Sequence, residues 1–132
     1  MESLNINGKK VSAEELSDEA RQTLASIRYA DKRLAELKDQ VAVTQTGIIT
    51  YARELKGKLP KPAHPNKKKD TVTIDQVKYN FADFDQNAKP LLYSLDKANK
   101  IVAQLESDIA IFNTAMAAYK YTLAKQVAEK TG

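Results

Sequence analysis

VAVTQTGIITY, from Val41 to Tyr51, and IAIFNTAMAAY, from Ile109 to Tyr119, are two eleven-residue runs without a charge, in a chain of which 29% is charged. The second begins 68 positions after the first, and both end in Tyr. Shifted by 68, the chain aligns with itself without a gap from Ser3/Thr71 to Leu55/Leu123. Ile6 meets Ile74, Ala20 meets Ala88, Leu24 meets Leu92, Leu37 meets Leu105 and Thr46 meets Thr114, while Val41/Ile109 and Val43/Ile111 change only within a class. A gapless register that keeps the apolar pattern marks a duplicated unit.

Around both runs the apolar residues recur at alternating spacings of three and four, as in a coiled coil. The seam of the first copy is Ile27, Ala30, Leu34, Leu37, Val41, Thr44, Ile48, Tyr51 and Leu55. That of the second is Leu95, Ala98, Val102, Leu105, Ile109, Phe112, Met116, Tyr119 and Leu123. In the uncharged runs the positions beside the seam are also small or neutral (Gly47, Ala52, Ala115, Ala117), which widens the apolar face. The runs are therefore expected to be the most deeply packed parts of the helices, within one chain or between chains. Val41, Thr44, Ile48, Tyr51, Ile109, Phe112, Met116 and Tyr119 are the expected helix-packing contacts. Gly47 inside a helix costs about 1 kcal/mol relative to Ala, which either a close helix approach or simple tolerance of the residue would explain.

Each copy opens with a hairpin. SLNINGKKVS alternates around Asn7-Gly8, the strongest short-range hairpin signal. A two-residue turn sets Ile6 opposite Lys9 and Leu4 opposite Val11, with Leu4, Ile6 and Val11 on one apolar side. TVTIDQVKYN repeats the pattern with Val72, Ile74, Val77 and Tyr79, but its turn is Asp75-Gln76, and Gln tolerates positive φ poorly. A lone two-stranded hairpin is barely stable in water, so its apolar side must cover a helix or join a sheet. Ser12 with Glu15 matches a capping box, and Ser17-Asp18-Glu19 offers a second helix start. Asn80 and Asp85 hold the corresponding positions in the second copy, and Pro90 suits the first turn of a helix.

The fold expected is mainly α with short β, a tandem repeat of hairpin plus long helix, the two helices antiparallel. Its organisation is residues 1–57 (hairpin 3–12, helix about 13–57), a linker over 58–70, and residues 71–132 (hairpin 71–80, helix about 86–128). A parallel pairing strains the linker. A staggered antiparallel pairing, with Thr46 across from Thr114 and Gly57 near Ala103, brings the uncharged runs together at a common centre. The amino-terminal halves then extend outward or fold back at a kink near Arg28.

The connector KGKLPKPAHPNKKKD, Lys56 to Asp70, holds six lysines and three prolines. The whole chain carries a net charge of +4, so the basic balance belongs to this connector. Lys67, Lys68 and Lys69 are candidate phosphate contacts for a nucleic acid, since a basic run binds phosphate backbones electrostatically. No aromatic residue interleaves there for base stacking. Cysteine is absent and His64 is the only histidine, so a zinc site has no ligand set. Acidic pairs such as Glu14/Glu15 sit at helix starts, where capping explains them. No cofactor, metal site or catalytic residue is expected, and the chain is read as not an enzyme. MESLNINGKK has no apolar core of signal-peptide length, and the uncharged runs fall short of the roughly 20 residues that span a bilayer. No membrane partner is expected, and the localisation is cytoplasmic or virion-associated.

Ile6-Asn7-Gly8-Lys9, Leu16-Ser17-Asp18-Glu19-Ala20, Ala42-Val43-Thr44-Gln45-Thr46 and Tyr51-Ala52 carry a resemblance. The first copy resembles a family of small bacterial and phage proteins of unassigned function, over most of residues 3–57. The second copy departs at Gln76, Asp85-Gln86-Asn87 and Asn113. The resemblance implies units that pair as homodimers, here two fused in one chain, with no activity to carry over. The functional expectation is a structural or protein-interaction module, a virion component or an accessory protein, in a homo-oligomer or larger assembly. The alternative is a nucleic-acid-associated protein using the linker lysines.

Overall fold

The computed structural model describes residues 3–6, 9–65 and 70–131. Strands β1 (Ser3–Ile6) and β2 (Lys9–Ser12) lead through a short 3-10 turn into helix α1 (Asp18–Leu55). After a second 3-10 turn and the linker, strands β3 (Thr71–Ile74) and β4 (Val77–Asn80) lead through a third turn into helix α2 (Lys89–Thr131). The molecule is mainly helical, the two long helices packing against each other antiparallel. α1 is one continuous helix, unbroken at Arg28.

Both hairpins adopt the expected register. Leu4 faces Val11 and Ile6 faces Lys9 in the first; Val72 faces Tyr79 and Ile74 faces Val77 in the second. The Asn7-Gly8 turn and the side chains of Leu4 and Ile6 lie outside the described residues. Asp75 and Gln76 have φ of 49° and 67°, the left-handed pair that a two-residue hairpin turn requires. Each costs roughly 1 kcal/mol in a residue with a Cβ. Replacing Gln76 with Gly is therefore expected to stabilise the protein by about 1 kcal/mol, read as a raised urea midpoint at unchanged slope. An unchanged or lowered midpoint would show that the turn carries no strain. Val72, Ile74 and Tyr79 are buried, but Val77, beside the turn, stays 37% exposed. The expected four-residue apolar face is thus a three-residue one.

The helix starts use the later of the two candidate caps. The Ser17 hydroxyl accepts the Ala20 N–H at 3.1 Å, and Asp85 Oδ1 accepts the Ala88 N–H at 2.9 Å. These are equivalent positions of the two copies. The Ser12 hydroxyl receives only a 3.4 Å bond from Glu14 N–H, in the 3-10 turn, and Asn80 makes no side-chain capping bond. The capping box therefore does not start α1. Residues 86–88 form a turn after Asp85, so α2 begins at Lys89, with Pro90 in its first turn.

The chain divides into two compact units that cut across the sequence repeats. One joins Met1–Lys38 to Ser107–Gly132; the other is Asp39–Glu106. In the first unit Val11 of the hairpin and Leu16, Ala20 and Leu24 form a core with Leu123 and Val127 of α2. Farther along, Ala30 and Leu34 pack with Met116. In the second unit Val72, Ile74 and Tyr79 of the hairpin form a core with Phe84, Ala88, Leu92, Leu95 and Leu55. The two sets match at the offset of 68: Val11 corresponds to Tyr79, Leu16 to Phe84, Leu24 to Leu92, and Leu123 to Leu55. Each hairpin thus sits on the start of its own helix and is closed by the end of the other copy's helix.

These cores overturn the staggered register. There Gly57 would lie near Ala103, yet the core companions of Leu55 on α2 are Leu92 and Leu95. In the first unit Leu24 shares its core with Leu123, again full overlap without stagger. A two-stranded hairpin needs helix surface to cover its face, and in this register each hairpin is covered by its own helix start and by the end of the other helix.

Candidate interaction face

Outside the uncharged runs most seam residues point inward. Leu37, Leu55 and Leu92 are fully buried. The uncharged runs behave differently. Val41, Thr44, Ile48, Tyr51, Ile109 and Phe112 are only half-buried, Met116 is buried, and Tyr119 is 37% exposed. Beside the seam, Val43 is 73%, Ile49 58% and Ile111 62% exposed. Within the single chain these runs are therefore not the most deeply packed parts of the helices, which leaves packing between chains as the form of that expectation. Deep positions lie both under the hairpins, as Leu55 and Leu92 do, and along the helix seam away from them, as Leu37 and Ala30 do. Away from the hairpins a helix has its partner on one side and solvent on the others.

Within the second unit, Ile48 and Tyr51 pack against the Leu55 core. Within the first, Ile109 and Phe112 pack against Ala30, Leu34 and Met116. Of the two explanations for Gly47, the surroundings fit simple tolerance and not a close helix approach. A Cβ there would meet only Tyr51 of its own helix, at 4.0 Å.

The first unit carries an open groove of about 310 Å³ between α1 and α2, lined by Ala25, Ser26, Tyr29, Ala30, Phe112, Ala115 and Tyr119. Tyr29 stands off the seam, 67% exposed, its ring 6.5 Å from that of Phe112. No lining residue is charged. Tyr29 was absent from the helix-packing contacts read from the sequence because it is not on the heptad. Its signal was an aromatic residue four positions after Ala25 on a flanking face.

A second cavity, about 440 Å³ and open to solvent, lies in the second unit and is lined by Asp70, Thr71, Phe81, Tyr93, Asp96 and Lys100, among others. Phe81 and Tyr93 pack ring on ring at 5.0 Å, and Lys89 Nζ sits 5.8 Å from the Phe81 centroid. Lys100 pairs with Asp96 at 2.9 Å, both exposed. Such a pair contributes little in water, and its charges are matched to each other.

Among the described residues no polar or charged residue is buried, and no three His, Asp or Glu side chains come together. No described helix is long and apolar enough to cross a membrane. In the linker, Lys56, Lys58 and Lys61 are exposed, and the Ala63 N–H donates to the Lys78 carbonyl at 2.8 Å. This bond ties the linker to the second hairpin. Lys67, Lys68 and Lys69 lie outside the described residues. No protein-family model matches the chain, and no curated protein and no solved structure matches it.

Proposed function

We propose that the chain is a non-catalytic structural or interaction module that joins other protein chains through the open faces of its helices. The observation that carries this is the exposure of the uncharged runs. Val43 and Ile111, equivalent positions of the two copies, are both apolar and both mostly exposed. Burial within the chain does not account for keeping eleven positions free of charge there, whereas burial against another chain does. The assembly is a homo-oligomer or a larger protein structure, such as a virion or a cytoplasmic complex.

Sedimentation of the full chain across a wide concentration range tests this, together with recovery of bound proteins from native extracts. Association with itself or with a recovered protein is the expected outcome. A monomer at every concentration, with nothing recovered, removes the reading. The second reading, nucleic-acid contact, rests on the exposed Lys56, Lys58 and Lys61. It requires DNA binding that weakens with salt and falls when Lys67, Lys68 and Lys69 are changed to Gln.

A further inference from the structure

We propose that the open cavity of the second unit is a binding site for a guanidinium group, carried by an arginine side chain or by a small guanidino compound. The site is separate from the uncharged runs and does not rest on self-association.

The cavity of about 440 Å³ falls within the range of small-ligand pockets. Buried Val72 and Leu92 give it an apolar base. Phe81 and Tyr93 line it with ring centroids 5.0 Å apart, and Tyr93 is 64% exposed. Asp70 and Asp96 bring two carboxylates against the single ammonium of Lys100, a balance that favours a cation. Tyr93 and Asp96 are three positions apart on α2, so they are neighbours on one helical face, with Cβ atoms about 5–6 Å apart. One flat cation can lie along the Tyr93 ring and reach the Asp96 carboxylate at the same time.

The duplication shows which of these residues the fold requires. At the offset of 68, Leu92 corresponds to Leu24 and Val72 to Leu4, apolar in both copies. Phe81, Tyr93 and Asp96 correspond to Ala13, Ala25 and Arg28. The first copy forms the same hairpin, 3-10 turn and helix with neither ring and with the opposite charge. The two rings and the carboxylate are thus additions to a unit that folds without them, and they fall together at one cavity.

The chain's own ammonium groups already make both kinds of contact. Lys100 Nζ lies 2.9 Å from Asp96 Oδ2, and Lys89 Nζ lies 5.8 Å from the Phe81 ring centroid. The Lys100 and Asp96 side chains are 78% and 56% exposed, so their pair is weak in water and is displaced at little cost. An incoming ammonium only exchanges like for like. A guanidinium gains on the exchange, because its planar fork takes both oxygens of a carboxylate and its flat face stacks on an aromatic ring. It is also less strongly hydrated than an ammonium, and so gives up less on entering.

The test is an NMR titration of the full chain with N-acetyl-arginine amide, free arginine and N-acetyl-lysine amide. The arginine probes are expected to shift the amides of Tyr93 and Asp96, with a dissociation constant on the order of millimolar, and the lysine probe to bind several-fold more weakly. Binding by either arginine probe supports the site, and the tighter of the two identifies a protein side chain or a small compound as the source. Asp96→Asn is expected to weaken binding about ten-fold. Tyr93→Ala, which installs the residue found at the equivalent position of the first copy, is expected to weaken it about five-fold. Tyr121→Ala is the control, since Tyr121 is 65% exposed on α2 but does not line the cavity. Circular dichroism confirms that each variant is folded. No shift with either arginine probe at about 50 mM overturns the site. Equal binding of the lysine probe overturns the guanidinium preference. Wild-type binding by Asp96→Asn and Tyr93→Ala, or equal weakening by Tyr121→Ala, overturns the location. None of these outcomes alters the sedimentation result, so this site and the assembly reading stand or fall separately.

Discussion

Replacing Leu55 with Ala is expected to destabilise the protein by about 3–5 kcal/mol and to loosen the second hairpin before the first. Leu55 belongs to the first sequence copy and lies 19 positions before Ile74, across the whole linker. Yet it is fully buried in one core with Val72, Ile74, Tyr79 and Leu92. Removing its side chain leaves a cavity beneath β3 and β4, which form a two-stranded sheet. Urea denaturation gives the loss of stability. Amide hydrogen exchange gives its place, with faster exchange in β3 and β4 than in β1 and β2. A loss under about 1 kcal/mol, or earlier opening of β1 and β2, would show that Leu55 does not close that core.

The mirror experiment changes Leu123 and Val127 to Ala together. Both are buried, and they close the core formed by Val11, Leu16, Ala20 and Leu24. A buried Leu→Ala change costs about 2–5 kcal/mol, and the lost Val side chain adds roughly 1–2 kcal/mol. The pair should cost about 4–6 kcal/mol, somewhat off additivity because the two residues share a cavity. Here β1 and β2 should exchange first while β3 and β4 stay protected, the reverse of the Leu55 result. A domain of this size has roughly 5–15 kcal/mol in total, so the double variant should be close to unfolding at room temperature. If instead the same hairpin opened first in both experiments, the crossed assignment of helix ends to hairpins would be wrong.

The duplication was legible because it is a property of the chain alone: a gapless offset that preserves residue classes. The elements were legible because their periods are local. Spacings of three and four place Ala30, Leu34 and Leu37 on one helical face, and alternation places Val72, Ile74 and Tyr79 on one strand face. The caps were half legible. Two Ser candidates preceded α1, and only the completed 3-10 turn shows that Ser17, not Ser12, receives the first-turn N–H. Tyr29 was illegible as a groove residue because its neighbours Phe112 and Ala115 come from a segment some 85 residues away.

By itself the sequence determined that there are two copies, each a hairpin and a long helix with one apolar seam, joined by a basic linker. Local sterics and 3.6- or 2-residue periods suffice for that. Only the tertiary structure decided the register of the two helices and the burial of the uncharged runs. Many registers satisfy a leucine seam. The one adopted lets both hairpins find a helix end, a requirement that links residues as distant as Val11 and Val127. The same choice leaves Val43 and Ile111 uncovered, because an uncharged stretch shows that water can be excluded but not which surface excludes it.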